Sequence, residues 1–181
     1  MLSILICSLR SRSRQLDDLL KVLAPQCQYG ESEYHVALDD GAMPIGAKRN
    51  LLVSKANGKY CCFVDDDDMV DVSYVQQILG AIRNGEPDCV GMCGFLVENG
   101  KHRWQFRHSI TVSRWCKDKK NHIYFRTPNH LNPIKTEIVR RHPFPEINFG
   151  EDHAFSNSIR PDLKTEVFVE RPIYFYLQGN K

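Results

Sequence analysis

The sequence has no apolar run near the ~20 residues that a membrane-spanning helix needs. Its N-terminal apolar stretch, Leu2 to Cys7, covers only six residues. Arg10, Arg12 and Arg14 follow that stretch, whereas a secretory signal places its basic residues ahead of the apolar segment. No signal and no membrane span are therefore expected, and a cytoplasmic location is. Excess charge of one sign is also missing: 24 Lys and Arg stand against 22 Asp and Glu, a net charge of +2. Bulk electrostatics gives no case for nucleic acid or an anionic membrane as partner. The seven cysteines are odd in number and lack framework-like spacing, and Cys61 and Cys62 are adjacent, so reduced thiols are expected. Cys89 and Cys93 have no second pair with which to complete a zinc site. No Gly-x-x-x-x-Gly-Lys-Ser/Thr phosphate loop occurs, which argues against a P-loop nucleotidase. An EF-hand starting at Asp65 would need Gly and Glu where Val70 and Gln76 stand. With no repeat, low-complexity tract or dividing linker, 181 residues make one domain with a proper core.

What the sequence does contain is an apolar stretch, Tyr60 to Val64, that runs straight into four carboxylates, Asp65 to Asp68. The apolar part reads as a short buried strand. Four like charges on the turn at its end repel one another unless something neutralises them. A hard divalent cation does so, since Mg²⁺ takes carboxylate oxygens together with substrate phosphates.

The rest of the first half supplies the frame. Leu2 to Cys7 is a buried strand, and Ser11 or Ser13 caps a helix with Leu16, Leu19, Leu20 and Leu23 at helical spacing, stopped by Pro25. Tyr34 to Leu38 is a second strand, ending in the turn Asp39 to Gly41. A helix follows from about Ile45 to Ala56, and Asn57 with Gly58 closes it. Beyond the acidic turn, Asp71 or Ser73 caps a helix through Val75, Ile78, Leu79 and Ile82. Strand alternating with helix implies an α/β domain with a mostly parallel central sheet flanked by helices. Ligands in such sheets bind beyond the carboxyl ends of the strands. Three polar strand ends, Ser8 to Arg10, Asp39 with Asp40, and Asp65 to Asp68, would line one crevice.

The second half is richer in strand signals. Cys89 to Glu98 and His102 to Arg107 read as a hairpin about Asn99 and Gly100. Thr111 to Trp115 and His122 to Arg126 read as further strands, with a basic loop holding Lys117, Lys119 and Lys120 between them. Ile134 to Arg141 reads as a short helix. Glu151 and Asp152 sit in the favourable first turn of another helix, and Val167 to Val169 and Ile173 to Leu177 close the chain as strands. The two acidic sites suggest a division of labour. Asp65 to Asp68 would hold a cation against a leaving diphosphate, and Glu151 with Asp152 would take a proton from an attacking hydroxyl.

From about Leu2 to Tyr176 the chain resembles the family-2 glycosyltransferases of the GT-A fold. The resemblance is carried by Leu2 to Cys7, Leu38 to Gly41, Gly46 to Asn50 with Ala56 to Tyr60, Phe63 to Asp68, and Gly150 to Asp152, five elements in the family's order. It implies residues 1–98 as the nucleotide-sugar-binding half and 99–181 as a smaller, β-rich acceptor half. It further implies inverting transfer of a sugar from a nucleoside-diphosphate sugar, with UDP-sugar as the expected donor. The acceptor is a hydroxyl on a glycan, small molecule or modified nucleic acid. Asp65 and Asp67 are implied as the Asp-x-Asp carboxylates that hold Mn²⁺ or Mg²⁺. The run of four Asp leaves the register open by one residue and adds Asp66 to the donor contacts. Ser8 and Asp39 would contact the nucleoside, Arg49 would steady the donor, and Asp152 would be the base. Arg10 is near the donor pocket, with a role not separable from surface charge. The chain departs from the family where the opening strand often ends Pro-Thr-Tyr-Asn. Cys7 to Arg10 offers no aromatic contact to the base there. The chain is also short for the family, which favours a small soluble transferase whose missing walls an oligomer could supply.

Two other classes compete. A nucleotidyltransferase uses a similar layout, but Ser8 to Arg14 is basic without the expected Gly. A nucleotide-sugar-binding module would have kept the fold and lost turnover. His130 could face the acceptor, and His153 could ligate metal or orient Asp152, although a structural or surface role is the ordinary one for each. Trp104 and Trp115 could stack on sugar, against the usual core role of aromatics in β-rich halves.

Overall fold

A computed structural model describes residues 1–28 and 30–178. In chain order the elements are β1 (Leu2–Leu9), α1 (Ser13–Leu23), β2 (Ser32–Asp39), α2 (Ile45–Lys55), β3 (Tyr60–Phe63) and β4 (Met69–Val70). There follow α3 (Tyr74–Arg83), β5 (Cys89–Glu98), β6 (Lys101–His108), β7 (Cys116–Asp118) and β8 (Ile123–Arg126). The chain ends with β9 (Ile134–Lys135), α4 (Thr136–Arg141), α5 (Glu151–Ile159) and β10 (Glu166–Gln178). All ten strands join one sheet. The ladders β1–β2, β1–β3, β5–β10 and β6–β8 are parallel. β5–β6, β3–β9, β7–β8 and β4–β10 run antiparallel. The α/β class and the mostly parallel sheet flanked by helices are as the alternation predicts.

β1 is covered on both faces, which explains its unbroken apolar run. Alternate residues enter different cores. Leu2, Ile4 and Ile6 pack with Leu16, Leu19 and Leu23 of α1 and with Val75 and Ile78 of α3. Leu5 and Cys7 pack with Leu52 and Val53 of α2, Ile138 and Val139 of α4, and Phe155 and Ile159 of α5. β3 divides in the same way, with Tyr60 and Cys62 in the first core and Cys61 and Phe63 in the second. β3 ends at Phe63, opposite Leu5, while β1 runs on to Leu9, so the acidic turn that follows β3 comes up beside Ser8.

Four sequence expectations are corrected. Thr111 to Trp115 is not a strand; the strand there is β7. The Glu166 carboxylate accepts from Ser109 Oγ (2.7 Å) and the Ile110 N–H (2.8 Å), folding the chain away from the sheet. Ile134 and Lys135 belong to β9, paired with Cys61 and Tyr60, so the helix begins only at Thr136. The two closing strands are one, β10, whose register slips around Pro172. Such an irregularity accommodates a residue that has no N–H to give the ladder. Neither α1 nor α3 carries a side-chain cap from its flanking residue; instead Asp71 Oδ1 accepts from Ser73 N–H and Oγ ahead of α3.

Candidate active site

The four carboxylates of the acidic turn point different ways, and each meets different partners. Asp66 is buried, accepting from Ser8 Oγ at 2.6 Å and from Arg12 Nη1 at 3.0 Å. Asp68 is also buried, accepting from Tyr174 Oη (2.7 Å) and the Leu177 N–H (3.0 Å). Burial and the neighbouring Asp65 push its carboxyl up to about 8. Asp65 receives Arg49 Nη2 and His130 Nε2, each at 3.3 Å. Burial acts to raise its carboxyl, but the charges of His130 and Arg49 outweigh that and hold it below the usual carboxylate range. Asp67 is left with Arg12 at 3.5 Å. Burial and then Asp65 raise its carboxyl, and Arg12 acts against them.

Arg49 ties the two acidic sites together. It is buried on α2, with Nη2 on Asp65 and Nε 3.4 Å from Glu151 Oε1. Its guanidinium carbon lies 4.8 Å from the Phe63 ring centroid and 5.7 Å from that of Phe144. Nη1 is buried without a protein partner, which leaves a donor for a ligand. α2 reaches this position through Gly46, where a Cβ would run into the Pro145 carbonyl; only a bare Cα lets the 145–150 segment lie against the helix. That segment enters α5 at Gly150 with φ 82°, a left-handed turn suited to glycine. Glu151 therefore faces inward, buried on Arg49, while Asp152 is half-buried and accepts the His153 N–H at 2.7 Å.

A cavity of about 510 Å³ lies beyond the ends of β1 and β3. Ser8, Arg12, Lys48, Arg49, Asp65 and Glu151 are on its wall, along with Asp66 and Asp67. Its size suits a small organic ligand. Of the residues singled out in the sequence, Ser8, Arg49, Asp65, Asp66 and Asp67 converge here. Asp39 stands just behind the wall, accepting from the Gly41 and Met43 N–H groups and from Lys48 Nζ. Asp152, next to Glu151, is not among the residues on that wall. Ser8 is turned to Asp66, and Arg49 is a buried strut between carboxylates. Arg10 pairs with Asp40 in solvent, 3.6 Å away, and both are exposed.

Two residues here, Arg12 and Lys48, carried no role in the sequence, and a third, Glu151, stands in another role than the proton acceptor it was paired with Asp152 to be. Arg12 is the arginine that meets the acidic turn. Lys48 is buried, donating to the Ser8 carbonyl at 3.0 Å as well as to Asp39. Glu151, rather than its neighbour, closes the Arg49 pair. The only sequence signal for Lys48 was its place within Gly46 to Asn50; for Arg12 there was none beyond a basic turn. His130, which could have faced an acceptor but for which a structural or surface role is the ordinary one, is buried against Asp65, and its carbonyl accepts the Phe63 N–H at 2.8 Å.

Among the described residues, no three His, Cys, Asp or Glu side chains form a ready-made cation cage. Asp67 nevertheless fits Mg²⁺ or Mn²⁺ in chemistry, because such ions accept one or two carboxylates and take their remaining oxygens from substrate phosphate and water; Asp65 would join it through oxygens that Arg49 and His130 already contact. The observation that favours a cation there is that Asp67 meets a single protein cation, Arg12 at 3.5 Å, and is half-buried on the cavity wall.

The family model described as glycosyl transferase family 2 matches residues 17–147. Comparison with curated protein sequences finds no match. Among solved structures, S. aureus TarS 1–349 in complex with UDP-GlcNAc superposes with a TM-score of 0.74 at 16% identity, over 100% of this chain and 60% of that one. The same protein with UDP gives 0.73 at 16% identity, over 99% and 61%. A longer structure of S. aureus TarS gives 0.72 at 15% identity, over 97% and 36%. The chain thus spans about 60% or less of the length of these structures. Similarity at this level establishes the shared GT-A architecture. The family match, which extends over well more than half of the sequence, adds membership: this chain belongs to glycosyl transferase family 2.

Proposed function

We propose that the protein transfers a sugar from a nucleoside-diphosphate sugar, with UDP as the nucleotide, to an acceptor hydroxyl, with inversion at the anomeric carbon and with a divalent cation bound. The observation that carries this reading is the Arg49 bridge. It fixes the acidic turn after β3 and the first turn of α5 on either side of one cavity. The UDP-GlcNAc and UDP found with the structurally similar TarS support the choice of nucleotide.

In this reading Asp67 and Asp65 hold Mg²⁺ or Mn²⁺, which would neutralise charge on the diphosphate as it leaves. Asp39, at the end of β2, and Lys48, on α2, face the nucleoside; Ser8 acts through Asp66 rather than on the nucleoside itself. Arg49 offers its free Nη1 to the donor and keeps Asp65 and Glu151 in place. Asp152 takes the proton of the acceptor hydroxyl. The acceptor oxygen then bonds to the anomeric carbon from the face opposite the diphosphate as the bond to the diphosphate oxygen breaks. Glu151 is unsuited to that role, because Arg49 holds its carboxylate in the interior.

The test is a thermal-shift screen of UDP-, GDP-, CMP- and dTDP-sugars with and without Mn²⁺, followed by assay of nucleotide release. A ligand bound to the folded state alone raises the melting temperature. A Mn²⁺-dependent shift confined to UDP-sugars, with UDP released, is the expected result. A shift without release from any donor, even with a broad acceptor mixture, would make the chain a binding module instead.

A further inference from the structure

On the acceptor side of Asp152 stand two cations that the donor chemistry does not use. Lys117 on β7 pairs across the ladder with Tyr124 on β8, and Arg126 follows two residues later on the same face. Lys117 Nζ lies 5.1 Å from the Tyr124 ring centroid. The Arg126 guanidinium carbon lies 5.8 Å from the same centroid and 4.5 Å from that of Trp115. Among the described residues, neither cation forms an ion pair with a carboxylate.

This face of β8 is the inner one. Tyr124 and Arg126 stand in register with Phe106 and His108 of β6, both buried. Trp115 carries the cation pair to the base. Its indole N–H donates to Thr127 Oγ1 at 2.9 Å, and its ring meets His153 edge-on at 4.9 Å. His153 in turn gives its backbone N–H to Asp152. Tyr176 reports the same proximity: burial pushes its hydroxyl up, Arg126 acts against that, and Asp152 acts with it.

A guanidinium laid on aromatic rings is held in place without being neutralised. Its in-plane N–H donors stay free for a planar or tetrahedral oxyanion. A lysine set on the same ring adds a second positive charge to the face. The cations near the donor cavity, Arg12, Lys48 and Arg49, are by contrast each engaged with carboxylates.

We propose that Arg126 and Lys117 form an oxyanion subsite for the acceptor, so that the molecule glycosylated carries a phosphate or carboxylate close to its reacting hydroxyl. This inference rests on the assignment of Asp152 as base and of its outer side as the acceptor side.

The test titrates matched probes into the full chain loaded with UDP and Mn²⁺: glycerol against glycerol 3-phosphate, and glucose against glucuronate. Wild type is expected to bind at least one anionic probe about tenfold more tightly than its neutral partner. The phosphate and carboxylate arms show which oxyanion is preferred. Arg126→Gln and Lys117→Gln should each remove most of that preference, and Arg126→Lys should restore part of it. Lys117 is exposed, so its variant keeps the test valid should Arg126→Gln fail to fold. Equal binding of neutral and anionic probes by wild type would overturn the proposal. So would a fall in UDP affinity in the variants as large as the fall for the anionic probe, since that would assign the pair to the donor's diphosphate. Failure of wild type to bind UDP would instead strike at the donor reading. Inorganic phosphate titrated into wild type and Lys117→Gln would then test the cation pair alone: equal affinity would overturn it, and a loss in the variant would support it.

Discussion

Glu151 and Asp152 are adjacent and chemically alike, yet one helical step gives them different environments. Glu151 is buried with Arg49 Nε at 3.4 Å, and Asp152 is half-buried with one backbone donor. A base must reach the proton that it removes, and only the second carboxylate is free to do so. Asp152→Asn is accordingly expected to bind UDP-sugar as wild type does and to lower transfer by about 10²- to 10⁴-fold. Wild-type transfer by this variant would remove Asp152 from the mechanism. Arg49 acts at the same scale but chiefly on stability. Arg49→Met keeps the aliphatic packing between Phe63 and Phe144 while leaving Asp65 and Glu151 without their shared cation. Removing one partner of a buried ion pair costs about 3 kcal/mol or more. Urea unfolding at pH 7 should show a loss of that order, and a loss well below about 1 kcal/mol would mean that Arg49 is not a strut.

At the scale of elements, the paired starts of β1, β2 and β3 depend on one carboxylate. Glu33 on β2 accepts Ser3 Oγ from β1 at 2.6 Å and the Asn57 backbone N–H, just ahead of β3, at 2.8 Å. Burial acts to raise its carboxyl, but these bonds, the Asn57 side chain and His35 outweigh that and hold it at about 2. The unfolded chain returns Glu33 to about 4.3. A depressed folded value stabilises the protein above the unfolded pKa, and that contribution is lost as pH falls toward about 2. Glu33→Gln should therefore be less stable than wild type by about 2 kcal/mol at pH 7, with the gap closing between about pH 4 and pH 2. Denaturant midpoints at several pH values measure it, and a pH-independent gap would refute the linkage.

The same scale shows what could be read from the sequence. β1, β3, α2 and the β5–β6 hairpin were legible because their signals are local: unbroken apolar runs, helical spacing, and Asn99 with Gly100. β9 was not, because Ile134 and Lys135 pair with Cys61 and Tyr60 across a gap that no periodicity records. The unbroken course of β10 past Pro172 was hidden for the same reason: a proline signals a break locally, and only the partner strand shows it to be a register slip. In the site, the acidic runs stood out as composition. Arg12, Lys48 and the inward turn of Glu151 emerge only once β1, α2 and α5 are packed together.

For the whole molecule, the acidic turn trades stability for binding. The net charge is only +2, so there is no global excess for four adjacent aspartates to relieve. Asp66 and Asp68 are satisfied by protein donors, and Asp65 by Arg49 and His130. Asp67 has the fewest protein partners of the four, with Arg12 at 3.5 Å, and burial and Asp65 raise its carboxyl. Two consequences can be measured by melting. Mn²⁺ without nucleotide should raise the melting temperature of wild type, because it binds the folded turn and not the dispersed carboxylates of the unfolded chain. Asp67→Asn should stabilise the metal-free protein, lose most of the Mn²⁺ increment, and bind UDP-sugar equally with or without metal. A variant less stable than wild type in EDTA would mean that Asp67 serves the fold through Arg12. A variant that keeps the full Mn²⁺ increment would move the cation to another carboxylate of the turn.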